Sequence, residues 1–424
     1  MRNCGLGILL SFIALAGAIG DSALGSELDL SVGVGYEFIS QEYFLDSLVQ
    51  SGQDSLAATT ALKTTYLDDL KAQLHLKYSP FEDRKVLLGS QYEQTSEFVR
   101  AKLLADYRPR FGRSRLDITS ELDWRGRYEG SVEPGDDYLL GQTRARLTVP
   151  LSGSVSARWQ LRADFVDFDS SSSFNYDHYR LGAKAGIGKF FADFSMLDID
   201  LFLVTRRVPD SSELNYTNFG AEGAFLGFYA NGDFDLFGRT EWKDYKQAGN
   251  KGDYWRAELE GRNKIRLADD YFTLQEIDFE LSLFGGSDLI SYDYTRLGFT
   301  ALLGVEKHGL TFGLGGDFEH QSEINTEIGA GDNYFEAGLA AELDYIRLDQ
   351  FFGSLESVWG YRKLENESDL QSSFSFERLD LIADWKLLGV INLNILLSAE
   401  WEWHTNKGEN SQVFLVSSGL SYCL

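Results

Sequence analysis

Phe414-Leu415-Val416-Ser417-Ser418-Gly419-Leu420-Ser421-Tyr422-Cys423-Leu424 closes the sequence, and its apolar residues keep the beat of a β-strand. Successive side chains of a strand point to opposite faces, so Phe414, Val416, Leu420, Tyr422 and Leu424 share one face. The same period of two runs back through the chain to Glu27. Leu28, Leu30, Val32, Val34, Tyr36 and Phe38 alternate with Asp29, Ser31, Gly33, Gly35 and Glu37. Trp159, Leu161, Ala163 and Phe165 alternate with Arg158, Gln160, Arg162 and Asp164. Leu393, Ile395, Leu397, Ala399, Trp401 and Trp403 repeat the pattern against Asn392, Asn394, Ser398, Glu400 and Glu402. Each run covers about ten residues or more, the length of a tilted transmembrane strand, whereas strands of soluble proteins average about five or six.

Between the runs, turn residues recur at 79–83, 109–112, 150–153, 188–189, 230–233, 268–270, 306–309, 347–349 and 388–390. From Pro109 onward these turns lie roughly forty residues apart, a regular hairpin repeat. Longer polar stretches sit between them, at 41–61, 130–137, 169–175, 209–213, 247–253, 321–333 and 364–372. Short turns alternating with longer loops mark barrels whose short turns face the periplasm. All five prolines (80, 109, 134, 150 and 209) fall in the turns or loops, as central strands require. Aromatic residues crowd the strand ends, as two interfacial girdles would.

The N-terminus carries Arg2, an apolar run over 4–19 and small residues at Ala23-Leu24-Gly25, the pattern of a cleaved secretory signal over 1–25. Nothing else approaches eighteen consecutive apolar residues, which excludes membrane-spanning helices. The chain enters its first strand directly after the signal, with no segment left for a plug or a separate domain. Of two cysteines, Cys4 leaves with the signal and Cys423 stays, so no internal disulfide forms. A net charge of −26 argues against nucleic acid as a partner. Few prolines with 21 Tyr and 30 Phe describe a sheet protein.

The C-terminal stripe resembles the β-signal of bacterial outer-membrane barrels, which the barrel-assembly machinery reads in that family. The resemblance implies an assembly signal at Leu420, Tyr422 and Leu424. It also implies a location in the outer membrane, among lipid and lipopolysaccharide. The expected fold is therefore all-β: one large antiparallel transmembrane barrel over 26–424, of about 18–20 strands. Whether several copies form an oligomer is not set by these residues.

If the apolar face meets lipid, the alternate face lines an interior whose charges are unevenly spread. A basic wall is expected from Arg115, Arg125, Arg127, Arg144, Arg146, Arg158, Arg162 and Arg180. An acidic wall is expected from Glu276, Asp278, Glu280, Asp317, Glu319, Glu342, Asp344, Glu356, Glu400 and Glu402. Opposed walls create a transverse field, and the acidic excess favours cations. The arrangement resembles the constriction of general porins. The blander reading pairs these charges among themselves inside a closed barrel, because unpaired buried charge is costly. About twenty strands enclose more space than side chains alone fill, which favours an open bore.

The five histidines, His75, His178, His308, His320 and His404, lie far apart and outside any metal-ligand spacing. No Gly-x-Ser-x-Gly elbow appears, and the glycines at 313, 315 and 316 sit in strand patterns. The acidic loop 320–333 lacks calcium-loop spacing. No catalytic residue, metal or cofactor is therefore expected. The leading expectation is a channel passing small hydrophilic solutes, with cations preferred. The alternatives are the barrel component of an export or assembly system, such as polysaccharide secretion, a closed structural or interaction barrel, and a membrane enzyme.

Overall fold

The computed structural model describes residues 27–51, 54–79, 86–95, 98–127, 137–168, 177–209, 211–245, 253–285, 293–324, 333–348, 350–365, 372–387, 391–405 and 410–423. Side chains are described from Val86 onward, with those of Arg127, Tyr422 and Cys423 excepted. The expected export signal at 1–25 lies outside the described residues.

The first strands are β1 (Glu27–Ser51), β2 (Asp54–Ser79), β3 (Val86–Gln94), β4 (Phe98–Tyr107), the two-residue β5 (Arg110–Phe111), β6 (Ser114–Arg127) and β7 (Tyr138–Pro150). There follow β8 (Val155–Phe168), β9 (His178–Phe190), β10 (Met196–Arg207), β11 (Tyr216–Tyr229), β12 (Gly232–Tyr245), β13 (Tyr254–Arg266) and β14 (Tyr271–Phe284). The last are β15 (Tyr294–Lys307), β16 (Leu310–Glu323), β17 (Tyr334–Arg347), β18 (Phe351–Leu364), β19 (Phe374–Leu387), β20 (Ile391–His404) and β21 (Ser411–Cys423). All pair antiparallel in one sheet. With β5 set aside as a short ladder at the foot of β6, each strand pairs with the next. β21 then pairs with β1 from Ser31↔Cys423 to Tyr43↔Ser411, which closes the ring. Closure leaves no free sheet edge, the condition for crossing a bilayer with strands.

The two faces of the wall are told apart by curvature. Arg158 on β8 reaches Asp200 on β10 across Gly186 of β9, and all three stand in one register row. Arg378 on β19 likewise reaches Glu336 on β17, past β18. Strands two apart are separated by about 10 Å, so such contacts form only on the concave side of a curved sheet. The charged face is therefore the inside. The other face carries Leu161, Leu181, Leu201, Leu303 and Leu339, each about 60% exposed in the isolated chain. Uncovered leucines of this number, all round a closed sheet, make a lipid-facing belt.

The inside is not uniformly polar. Phe272, Leu274, Leu302 and Ala340 form a buried cluster on the bore side, with Val358 packed against it. Gly304 and Gly313 make room for it, since a Cβ at either position would press on the Phe272 ring or on Leu302. Phe272 is only 2% exposed. Phe272, beside a short turn, therefore stands outside the interfacial girdles that aromatic strand ends suggest, and so does Tyr294, beside a long loop, whose hydroxyl donates to Glu280 at 2.5 Å.

Two boundaries differ from those expected. The polar stretch 41–61 is largely a hairpin extension, with β1 and β2 paired from Tyr43↔Leu62 out to Ser51↔Asp54. Its threonines and its residues Leu45, Val49 and Leu56 suit extended backbone, and the polar count masked this. The turn expected near Gly188-Lys189 falls later, at 191–195, because β9 continues through Phe190. β3 and β4 pair with each other from Val86↔Tyr107 to Gln94↔Val99.

One repeating device was not anticipated. At seven successive long loops, the residue just before the returning strand accepts a hydrogen bond from the backbone N–H that ends the outgoing strand. Asp177 takes that of Phe168, Asn215 that of Val208, Asp253 that of Tyr245 and Asp293 that of Phe284. Asn333 takes that of Glu323, Ser373 that of Leu364 and Asn410 that of His404. Short polar side chains close loop bases in this way because they reach backbone donors that the ladder leaves over.

Candidate functional site: the charged inner wall

Much of the inner wall is neutralised pair by pair. On the basic side Arg100 clamps Asp123 at 2.6 Å, and Arg162 and Arg180 share Asp164 at 3.0 and 2.9 Å. Arg158 holds Asp198 at 2.5 Å and Asp200 at 3.2 Å, while Lys184 bridges Asp200 at 3.2 Å and Glu222. Arg115 pairs with Asp117 at 2.8 Å, and Arg125 stacks its guanidinium over Phe98 at 4.3 Å. The side chain of Arg127 lies outside the described residues. Of the eight arginines of the expected basic wall, Arg144 and Arg146 have no ion-pair partner among the described residues.

The acidic side divides in the same manner. Glu280 is buried between Arg256 at 2.8 Å and Arg296 at 3.1 Å. Glu319 accepts the Tyr334 hydroxyl, and Asp317 that of Thr300 at 2.7 Å. Glu400 pairs with Arg378 at 2.9 Å, and Glu402 accepts from Ser411 at 2.5 Å. Glu276 and Asp278 have looser partners, Arg262 at 3.3 Å and Arg296 at 3.5 Å. Glu342, Asp344 and Glu356 form no ion pair among the described residues. The register sets Glu342 directly against Glu356 and Glu356 against Asp380. Like charges side by side repel one another; Arg262, in the neighbouring cavity wall, acts on Glu342 and Glu356 without pairing with either, so water and solute ions supply the rest of the compensation.

Beside this row, a cavity of about 420 Å³ opens on the inner face of β12–β16. Asp235, Glu260, Glu276, Asp278, Asp317 and Glu319 line it with a single cation, Arg262. Fixed negative charge thus gathers on the inner face of β12–β19.

The partners that escaped the sequence reading are chiefly Asp198, Asp200 and Glu222, acids set within the basic half. Glu336, which its alternation already placed on the inner face, is 1% exposed and held by Arg362 at 2.6 Å and Arg378 at 2.9 Å. Their alternation was legible, but which strand two away they meet depends on register. The C-terminal residues close the ring: Leu420 is half exposed on the outer face, and Tyr422 pairs through its backbone with Val32. The side chain of Tyr422 and the whole of Leu424 lie outside the described residues.

No protein-family model matches the sequence, and no curated protein matches it. Solved structures do resemble it. The FrpB iron transporter from Neisseria meningitidis, F3-3 variant, superposes with a TM-score of 0.55 at 10% identity, over 94% of this chain and 81% of that one. The F5-1 variant of the same transporter, in its apoprotein form, gives 0.55 at 12% identity over 96% and 83%. A BenF-like porin from Pseudomonas fluorescens Pf-5 gives 0.49 at 11% identity over 95% and 99%. At such identities the FrpB likeness speaks to fold. By fold the chain is a large bacterial outer-membrane β-barrel.

Proposed function

We propose that the chain is a porin-like outer-membrane channel that admits small hydrophilic solutes by diffusion, cations ahead of anions. The observation that carries this reading is the placement of the charges left without ion pairs. Arg144 and Arg146 stand on β7, and Glu342, Glu356 and Asp380 on β17–β19, half the ring away. Arg144 and Arg146 lie within six residues of Pro150 at the short-turn end of β7, and Glu342 five residues from Arg347. The two groups therefore face each other at similar depth. A barrel sealed by internal salt bridges has no use for such a row, whereas a wet bore hydrates it. In a passage of this kind the acids draw in cations, and the opposed guanidinium groups orient dipolar solutes.

The same proposal assigns 1–25 to export, and Leu420, Tyr422 and Leu424 to recognition by the assembly machinery. Phospholipid and lipopolysaccharide would surround the belt. The reading is one of transport, not catalysis. Planar-bilayer recording tests it. The expected result is a stable ohmic conductance and, in a tenfold KCl gradient, a reversal potential on the cation side. Silence after verified insertion would favour a closed barrel, and an anion-side potential would show the acidic row to be misplaced.

A further inference from the structure

The tips of the short turns carry large apolar side chains that neither the wall nor the channel reading uses. Phe111 lies in β5, Leu151 between β7 and β8, Phe194 between β9 and β10, Leu267 between β13 and β14, and Leu348 between β17 and β18. Their exposures run from 59% at Leu267 to 86% at Leu348. They are spread round the ring and do not gather on one flank. A protein partner docks on a patch, so an occupant that meets all of them has to be annular.

Phe194 adds a second observation. Its φ of +68° lies in the left-handed region, which costs a non-glycine L-residue roughly 1–2 kcal/mol. Other short turns give that conformation to Gly112 and Gly309, or to His308, a residue type that tolerates it better. The Phe194 turn is tight, with its N–H donating to the Phe191 carbonyl at 3.2 Å and the Phe191 N–H to that of Ser195 at 2.9 Å. Glycine would satisfy both bonds without strain. A phenylalanine held there at 83% exposure has a use outside the chain's own fold.

The third observation is continuity with the lipid-facing belt. Phe191 meets Phe225 edge-on at 6.5 Å, and Phe225 meets Phe234 at 6.3 Å, both on the outer face near the short-turn end. The Lys189 ammonium sits over the Phe191 ring at 4.7 Å. A cation beside aromatics at the edge of an apolar belt is the arrangement that seats rings at headgroup depth and sends the charge toward lipid phosphate.

We infer that the periplasmic turn tips are seated in the interfacial layer of the phospholipid leaflet and do not stand clear of it in the periplasm. Phe194 and Leu348 are anchors on well-separated parts of the ring. The occupant is phospholipid; a protein partner or a second copy of the chain is what the test must separate from it. Phe194→Cys and Leu348→Cys are made singly in a Cys423→Ser background, labelled with an environment-sensitive fluorophore and placed in nanodiscs, where both faces are open. The expected result is strong quenching by nitroxide lipids at both sites, with iodide quenching cut about fivefold from that of free dye, as for an interfacial group. Iodide quenching at the free-dye rate would overturn the inference. So would shielding without nitroxide quenching, or shielding at one site only, since either shows a protein covering the turn.

Discussion

Replacing Glu336 by glutamine is expected to destabilise the barrel by about 3 kcal/mol or more, the cost typical of breaking a buried ion pair on one side. Glu336 is almost wholly buried and receives Arg362 through Nε at 2.7 Å and Nη2 at 2.6 Å, with Arg378 at 2.9 Å. Without its charge, Arg362 keeps only the rings of Tyr334 at 4.1 Å and Phe374 at 5.4 Å. Such contacts are worth about 0.5–2 kcal/mol and do not replace a carboxylate oxygen that accepts from two guanidinium donors. Arg378 fares better, because Glu400 remains at 2.9 Å. The loss should therefore depend mainly on Arg362. Adding Arg362→Gln to the Glu336 variant should cost much less than it does in the parent chain, a coupling readable by a double-mutant cycle. Urea titration in lipid vesicles, followed by the mobility of unheated samples on gels, measures it. A loss under about 1 kcal/mol, the range of solvent-screened pairs, would mean that water reaches Glu336.

The second large effect concerns ion selectivity. The triple change Glu342→Gln, Glu356→Gln and Asp380→Asn removes three adjacent acids that form no ion pair among the described residues. It leaves Arg144 and Arg146 in place. The cation preference is expected to fall at least about threefold in 0.1 M KCl, and the reversal potential to move toward the anion side, since wall potentials of several kT govern local ion concentrations. Arg144→Gln with Arg146→Gln should move it the other way. Both shifts should shrink in 1 M KCl, where screening acts over about 3 Å in place of the 10 Å at 0.1 M. The paired residues provide the contrast. Neutralising Asp200 removes a charge already matched by Arg158 and Lys184, and should alter stability more than selectivity. Equal selectivity changes from Asp200 and from the acidic row would contradict the division between paired and unpaired charge.

Much of the fold was legible in the sequence because period two is a direct consequence of strand geometry, and each run was long enough to be unmistakable. Of the prolines, Pro109 and Pro209 fall between strands and Pro150 is the last residue of β7, while Pro80 and Pro134 lie outside the described residues. The hairpin extension at 41–61 was misjudged because its polar residues look like loop residues, although threonine also suits extended backbone. The candidate site was legible in sign and side only. Arg158 and Arg144 look alike in sequence, and what separates them is Gly186, which lets Asp200 come within reach of Arg158 from two strands away. The loop clasps did carry a signal that was not followed. Asp177, Asn215, Asp253, Asp293, Asn333 and Ser373 recur at the hairpin interval, and Tyr216, Tyr254, Tyr294, Tyr334 and Phe374 directly follow five of them. A search for a repeated short polar–aromatic pair would have found both the loop bases and the inward rings beside them.

Site-directed labelling at two adjacent residues of β8 tests the partition of the wall most directly. Leu161 is 64% exposed on the face assigned to lipid, and Arg162 lies on the face assigned to the bore. With cysteine at each in turn, in a Cys423→Ser background in vesicles, the label at 162 is expected to react with a water-soluble thiol reagent and to respond to aqueous quenchers. The label at 161 should resist both and respond to lipid-borne quenchers. The opposite pattern, or protection of both sites from water and lipid alike, would contradict a barrel with a hydrocarbon-facing belt and a hydrated interior.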